Sequence, residues 1–213
     1  MRNSKKKVNF KNIIISHINN NLKEYISVTV IFIIGIILGV IFINNIGENV
    51  QTEISDYINS FIDSIRGNNS IDKTKLLFTS IKQNILIGVC LWFVGSTVIG
   101  IPFVYGIVAF RGFCLGYAVS SAIAVLGNGK GILFSVSTVM FQNLLFIPAI
   151  LALAVSGIKL YKSIVKDRDI ENVKIEIYRH TLFSVFGIVL LIISSVFETF
   201  ISTNLLEGCI KYI

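Results

Sequence analysis

The chain has 213 residues, of which 54% are hydrophobic and only 15% are charged, and its net charge is +7. Soluble domains carry about 25% charged residues, and the deficit here is concentrated in long uncharged runs that give a mean hydropathy of +0.77. The composition therefore argues against a soluble globular domain and for an integral membrane protein. We expect an all-α fold, a polytopic bundle of about five transmembrane helices.

Five apolar runs follow one another along the chain, and each reaches the roughly 17–25 residues of a transmembrane helix. Their predicted bounds are about 25–44, 85–108, 112–128, 131–158 and 181–203. The region 85–128 has a second reading, because Pro102 can break a helix or begin a re-entrant segment. Residues 25–213 are thus expected to form a single transmembrane domain behind a basic segment, 1–24.

The basic segment 1–24 and the apolar run after it fit either a cleavable signal peptide or an uncleaved anchor. The run is too long for the apolar region of a signal peptide, and no A-x-A-like cleavage site follows it, which favours the anchor. In membrane proteins, Lys and Arg concentrate in the cytoplasmic segments. If this chain crosses the membrane five times, the segments on the same side as the N-terminus hold 13 Lys and Arg, and those on the other side hold 6. The N-terminus and the 159–180 loop are therefore expected inside, and the 45–84 loop and the C-terminus outside.

The 45–84 loop contains an amphipathic helical pattern, with Glu53, Asp56 and Asp63 on the polar side. Apolar residues recur on the other side at Val50, Ile54, Tyr57, Ile58, Phe61, Ile62 and Ile65, as on one face of a helix. Asp72 is placed to cap a second, short helix that carries Leu76, Leu77 and Ile81. Two readings of the first helix stay open. In one, its apolar face packs on the membrane or bundle. In the other, the face docks an external partner through Ile54, Tyr57, Ile58, Phe61 and Ile65, and the two readings are compatible.

Residue types that build catalytic, metal or cofactor sites are scarce. There are two histidines, His17 and His180, and no H-E-x-x-H, C-x-x-C or nucleophile-elbow motif. The stretch GNGKG at 127–131 lacks the Ser or Thr and the strand that a phosphate loop needs, so it is interpreted as a turn between helices. We expect no catalytic residue, no bound metal, no cofactor and no nucleic-acid partner, and hence no enzyme. The cysteines fit no ligand spacing and no disulfide framework, at Cys90, Cys114 and Cys209.

Three polar residues interrupt the last two apolar runs. Gln142 and Asn143 need hydrogen-bond partners in a dry environment, and Glu198 costs roughly 2.5–3.5 kcal/mol if it is ionised at the bilayer centre. The surrounding apolar residues offset that cost, so Glu198 does not exclude a transmembrane segment. It is either a carboxylate tolerated in the bundle or at its edge, or a functional residue in a polar cavity or partner contact.

Two pairs of glycines are spaced four residues apart within apolar runs. Gly35 and Gly39 fall in the first span, and Gly112 and Gly116 fall at the start of the third. Such pairs let another backbone approach closely, so these residues, together with Pro148, are predicted to shape helix packing. Self-association into a homo-oligomer is an alternative that the pattern indicates only weakly.

The stretches FRGFCLGYAVSSAIAVLGNGKGILFSVSTVMFQNLLFIPAILALAVSG, 110–157, and VFETFIST, 196–203, resemble stage II sporulation protein M. That family has a span beginning near Gly-Phe-x-x-Gly, a Gln-Asn-x-x-x-x-Pro run and a late intramembrane glutamate. The matching residues here are Gly112, Phe113, Gly116, Gln142, Asn143, Pro148 and Glu198. Chain length, five spans and the basic N-terminus also agree. One departure is Phe141, where we expect a proline before Gln-Asn, and it bears on the local helix geometry.

The resemblance implies a non-enzymatic scaffold in the cell membrane of endospore-forming bacteria. Such a protein holds two cell-wall-degrading partners, stage II sporulation proteins P and D, at the sporulation septum and the engulfing mother-cell membrane. Those partners thin the septal peptidoglycan so that the mother-cell membrane can move around the forespore. The alternative is a permease-like subunit of a transporter, in which Glu198, Gln142 and Asn143 line a polar path.

Overall fold

The computed structural model describes residues 18–67, 71–97, 100–166 and 170–212, so most of the basic segment 1–24, including His17, lies outside the described residues. Within those ranges the chain forms helices and no strands, and the expected all-α membrane bundle is confirmed. The helices are α1 (Leu22–Asn44), α2 (Glu48–Arg66), α3 (Lys73–Gly95), α4 (Gly100–Ser135), α5 (Phe141–Lys166), α6 (Ile170–Phe197) and α7 (Thr203–Ile210). Two π-helical segments join α4 to α5 and α6 to α7, at Val136–Met140 and Glu198–Ser202.

The chain reverses direction within α4, at Gly127. Its φ of 80° lies in the left-handed region, which glycine adopts without the steric cost that a side chain brings. Just beyond it, a Cβ on Gly131 would lie only 2.5 Å from the Cα of Ile123, because the second arm folds back on the first. The turn predicted at 127–131 is therefore confirmed, and α4 consists of two antiparallel arms.

Four helical stretches are long and apolar enough to cross a membrane, and the third has 66 residues and contains the reversal. It therefore supplies two helical rods, each long enough to cross the membrane, and the described chain has five such rods in all. This is the arrangement that the prediction of five crossings requires. The stretches are Leu22–Asn44, Lys73–Gly95, Gly100–Val165 and Val173–Ile210.

The second and third predicted spans, 85–108 and 112–128, have different bounds in the structure. α3 starts earlier, at Lys73, and ends at Gly95, while α4 starts at Gly100. Pro102 lies in the first turn of α4, where a missing backbone N–H leaves no helical hydrogen bond unmade. It therefore begins a helix and does not mark a re-entrant segment.

Ser96 and Thr97 follow the last residue of α3 directly and lie at the break between the two helices. The hydroxyls of Ser96 and Thr97 donate to the carbonyl oxygens of Trp92 and Val94, each at 2.8 Å. The backbone N–H groups of the same two residues donate to the same oxygens at 3.1 Å. A Cβ on Gly100 would overlap the carbonyl oxygen of Val94. The hydrogen bonds of Ser96 and Thr97 and the absence of a side chain at Gly100 thus allow one helix to end and the next to begin within a single apolar run.

The earlier start of α3 shortens the predicted external loop 45–84. Asp72 caps this helix as expected, and its Oδ1 accepts from the backbone N of Lys75 at 3.0 Å, but the helix is long and not short. In the same way, Arg111 lies in the interior of α4 and not in a loop between two spans.

α5 is the central helix of the bundle and packs against α1, α3, α4 and α6. Its fully buried residues include Ile150, Leu153, Ala154 and Val155. The core around them takes buried side chains from the four neighbouring helices, at Val28, Phe32, Leu91, Val104, Val108 and Leu191. α1 is more peripheral, packs mainly on α4, and leaves much of its apolar surface exposed, as expected for a lipid-facing helix.

The amphipathic helix α2 lies across one end of the bundle, which we call the α2 end. Its residues Ile58 and Ile62 are buried against Leu206 and Ile210 of α7. Ile54, Phe61 and Ile65 are partly buried in the same cluster, whereas Tyr57 is 75% exposed. Of the two readings of this face, packing on the bundle is what the structure shows. Within the face proposed to dock a partner, only Ile58 is buried, because Ile54, Phe61 and Ile65 are partly exposed and Tyr57 is exposed.

Orientation follows from charge, and we expect the α2 end to be external. With Arg111 removed from the count, the N-terminal side still holds 12 Lys and Arg against 6, a bias that places it in the cytoplasm. Reporter fusions near residues 20 and 170 should give a cytoplasmic signal, and fusions near residue 68 and at the C-terminus an external one. A cytoplasmic C-terminus would contradict five crossings.

Candidate functional site

Glu198 is the first residue of the second π-helical segment, and its carboxylate is held inside the bundle by side chains of two other helices. The Nε2 of Gln142 donates to its Oε2 at 2.7 Å. Ser80, a buried residue of α3, also interacts with the carboxylate. Of the three polar residues predicted for this region, the structure brings Gln142 and Glu198 together.

Arg111 supplies the positive charge of the same site. Its guanidinium interacts electrostatically with Glu198, and its Cζ lies 4.5 Å from the centroid of the Phe146 ring. This is a cation–π contact, which gains strength where water is excluded. The Nε of Arg111 is buried and has no hydrogen-bond partner among the described residues. The negative charge of Glu198 therefore partly offsets a positive charge that a bilayer interior otherwise disfavours.

The depth of the site follows from the reversal at Gly127. Arg111 precedes it by 16 residues and Gln142 follows it by 15, so at 1.5 Å per residue both lie about 22–24 Å from the turn. The arm from 100 to 126 is about 40 Å long by the same measure. The charge pair is therefore near the middle of the bundle.

Further hydrogen bonds surround the pair. The Nδ2 of Asn84 donates to the Leu191 carbonyl at 3.0 Å and to the Ser195 hydroxyl at 2.8 Å. The Ser194 hydroxyl donates to the backbone carbonyl of Gln142 at 3.0 Å. Asn84, Ser194 and Ser195 are essentially inaccessible to solvent, so each bond satisfies a group that would be costly to bury alone. We call Ser80, Asn84, Arg111, Gln142, Ser194, Ser195 and Glu198 the polar cluster.

The polar cluster lies where the two π-helical segments meet. Val136–Met140 ends two residues before Gln142, Glu198 opens the other segment, and the two pack against each other. An extra residue in a helical turn changes the direction of the side chains that follow it, and such bulges frequently occur at functional sites. Here they coincide with the two residues that bridge α5 and the α6–α7 rod.

Asn143 does not join the polar cluster. Its Nδ2 donates to the carbonyl of Val139 in its own helix, at 2.8 Å. It lines, together with Pro148, Leu115 and Met140, an apolar groove of about 550 Å³ between α4 and α5. In the structure Gln142 contacts Glu198, whereas Asn143 bonds within its own helix.

The four predicted packing glycines meet at one contact, between α1 and α4. A Cβ on Gly35 would overlap the carbonyl oxygen of Ala109, and one on Gly39 would overlap that of Phe113. From the other side, Gly112 and Gly116 lie against the carbonyl oxygens of Phe32 and Ile36. We call these four residues the glycine seam. Both motifs are occupied within one chain, so they no longer favour a homo-oligomer.

Sequence reasoning missed five members of the polar cluster, Ser80, Asn84, Arg111, Ser194 and Ser195. Arg111 was treated as the end of a span, Ser80 and Asn84 were assigned to an external loop, and the two serines lie in the fifth predicted span but were not singled out. A signal was present, because the run 85–110 is longer than one crossing needs and includes Gly95 and Gly100 as turn residues. Moving the boundary to those glycines puts the arginine and the α3 residues inside helices.

The polar cluster links several helices through a few polar contacts, and we call this role a clamp. One carboxylate accepts a hydrogen bond from Gln142 of α5 and interacts with Ser80 of α3 and Arg111 of α4, so it connects four of the five rods. The arrangement is suited to fixing the relative positions of the helices.

A family model described as "Stage II sporulation protein M" matches residues 28–203. The matched range includes every residue of the polar cluster and of the glycine seam. No curated protein and no solved structure matches the chain.

Proposed function

The chain belongs to the stage II sporulation protein M family, and we propose that it is a membrane scaffold that localises peptidoglycan-degrading proteins at the sporulation septum. Membership of this family makes it a sporulation-related membrane protein. The family is not a known enzyme family. The family match over 28–203 is the observation that carries the proposal.

The architecture supports a scaffold, which needs a rigid bundle and an external surface. The glycine seam fixes α1 to α4, and the polar cluster connects α3, α4, α5 and α6. α2 then covers the end of the bundle and leaves a polar face exposed there, with Glu53, Asp56 and Tyr57 accessible. In the transporter alternative, Asn143 would share a polar path with Glu198, but it lies on the apolar groove instead.

The proposed partners are the two cell-wall-degrading proteins implied by the resemblance, stage II sporulation proteins P and D. Peptidoglycan lies outside the cell membrane, so these proteins would have to meet the scaffold at an external surface. The charge distribution predicts that the α2 end is external. In this proposal the partners degrade peptidoglycan, and this chain holds them in position at the α2 end.

Deletion of the chain should disperse both wall-degrading proteins from the septum of sporulating cells and arrest engulfment. The measurement is fluorescence microscopy of tagged partners, with the fraction of cells that complete engulfment scored in the same fields. Re-expression of the intact chain is the positive control. Normal septal localisation of both partners in the deletion strain would contradict the scaffold.

A further inference from the structure

A cavity of about 520 Å³ opens between α2 and α4 at the α2 end. This volume is within the range of about 300–1,000 Å³ that is typical of ligand pockets. Its apolar floor is formed chiefly by Ile54, Phe61, Ala118 and Phe134, and two tyrosines, Tyr57 and Tyr117, also line it. We call it the α2 cavity. It is separate from the polar cluster, none of whose residues lines it.

Ser121 gives the floor of the α2 cavity a polar group that the fold does not satisfy. The residue is only 4% exposed, and its hydroxyl has no hydrogen-bond partner among the described residues. Buried polar side chains are nearly always hydrogen-bonded, and exceptions call for an explanation such as an ordered water, an ion or a functional role. A bound segment that places a polar backbone or side-chain atom beside Ser121 would provide that partner.

The rim of the α2 cavity is acidic and aromatic. Glu53 lines it and is exposed, and Tyr57 stands beside it with 75% of its surface accessible. Along α2 there are four acidic residues and one basic residue, and that base, Arg66, lies 3.8 Å from Asp63. The negative charge on the side of Glu53 and Asp56 is thus not balanced within the helix.

From these observations we propose that the α2 cavity binds an external segment of a protein partner that inserts an aromatic or aliphatic side chain flanked by Lys or Arg. The apolar side chain fills the floor, and the flanking cations lie over the acidic rim, where Tyr57 adds an aromatic face. This inference rests on the scaffold proposal for the external position of the cavity, and it gives that scaffold a specific docking site.

Two other occupants fit the charges less well. The headgroup of an anionic lipid would be repelled by Glu53 and the neighbouring Asp56. A second copy of this chain would bring an equally acidic α2 toward the rim, and like charges disfavour such a contact. A basic, apolar peptide segment is complementary to both the floor and the rim.

The test uses the full chain in nanodiscs of phosphatidylcholine and a phage-displayed library of random 12-residue peptides, with empty nanodiscs for subtraction. Enriched peptides should combine one aromatic or large aliphatic residue with adjacent Lys or Arg. Ala118 is exposed and lines the cavity, so Ala118→Trp should fill it and weaken binding of these peptides by about tenfold or more, a loss of one well-packed anchor. Glu53→Lys should also weaken it.

Matched controls lie on the same two helices. Ala124 is exposed on α4 and does not line the cavity, so Ala124→Trp should leave binding unchanged, as should Asp63→Lys on α2. The proposal is overturned if no peptide is enriched over empty nanodiscs, if enriched peptides lack basic residues, or if they bind the Ala118→Trp variant as tightly as the parent chain. It is equally overturned if differently tagged copies of the chain co-purify and Ala118→Trp abolishes that association.

The peptide selection contains no sporulating cell, so its failure is distinct from a failure of the scaffold. A negative selection together with dispersed partners in the deletion strain would reject the α2 cavity and retain the scaffold. A positive selection together with normal partner localisation in the deletion strain would retain a docking site and reject the proposed function.

Discussion

Adding a single methyl group to Gly116 should force α1 away from α4 and lower the free energy of unfolding by about 1–3 kcal/mol or more. The new Cβ would overlap the carbonyl oxygen of Ile36 and contact its backbone carbon atoms. Backbone atoms cannot rotate aside as a side chain can, so the two helices must separate. Because α1 packs mainly on α4, that separation affects most of the contacts that hold it in the bundle.

Gly106 provides the matched control for Gly116→Ala. It lies on the same helix, and a Cβ added there meets nothing within 4 Å. Alanine is favoured over glycine inside helices by up to about 1 kcal/mol, so Gly106→Ala should be neutral or slightly stabilising. Titration with sodium dodecyl sulfate from mixed micelles measures both free energies of unfolding. Equal stabilities for the two variants would show that the glycine seam does not hold α1.

Glu198→Leu should destabilise the bundle on the order of 1–3 kcal/mol, the range for leaving hydrogen-bonding groups without their partner. The substitution removes the hydrogen bond from Gln142 and the interactions with Ser80 and Arg111. Insertion into the membrane should remain intact, because the segment becomes more apolar. Glu198→Gln keeps a polar side chain but not the charge, so a smaller loss is expected.

A double-mutant cycle with Arg111 isolates the charge pair. Arg111→Met combined with Glu198→Leu removes both charges, and the double variant should be more stable than the sum of the single effects predicts. Asn143→Leu is the control beside the site, because Asn143 bonds to the carbonyl of Val139 and not to the polar cluster, and it should change stability little. Additive effects of Arg111→Met and Glu198→Leu would show that the two charges do not interact.

The same double variant separates stability from function. If engulfment returns when stability returns, the polar cluster acts as a clamp and nothing more. If membrane abundance and stability recover but sporulating cells still fail to complete engulfment, the charges themselves are used. Membrane-fraction immunoblots and the fraction of engulfed forespores provide the two measurements.

The amino-acid sequence by itself determined the class of the protein and much of its local structure. Long uncharged runs leave most of the helix surface without charged groups that water would solvate. Such surfaces are stable only against lipid or against the protein core. The turn at Gly127 and the cap at Asp72 were also predictable, since both depend on residue types within one turn of chain. The amphipathic pattern of α2 likewise identified which of its sides is buried.

Only the tertiary structure decided where one apolar helix ends and the next begins. Hydropathy cannot distinguish two apolar helices with a break between them from one continuous helix. The break after Gly95 involves side-chain hydrogen bonds of Ser96 and Thr97 and the close approach at Gly100. Correcting that boundary moves Arg111 from a predicted loop into the bundle interior, where it meets Glu198.

The sequence alone also could not predict which residues, distant along the chain, contact each other. The glycine motifs predicted a close helix contact, but a spacing of four residues does not specify the partner, which the fold supplies by placing α1 against α4. Gln142 and Asn143 are adjacent in sequence and chemically alike. A helix rotates successive residues by about 100°, so only one of them faces Glu198, while the other lines the apolar groove.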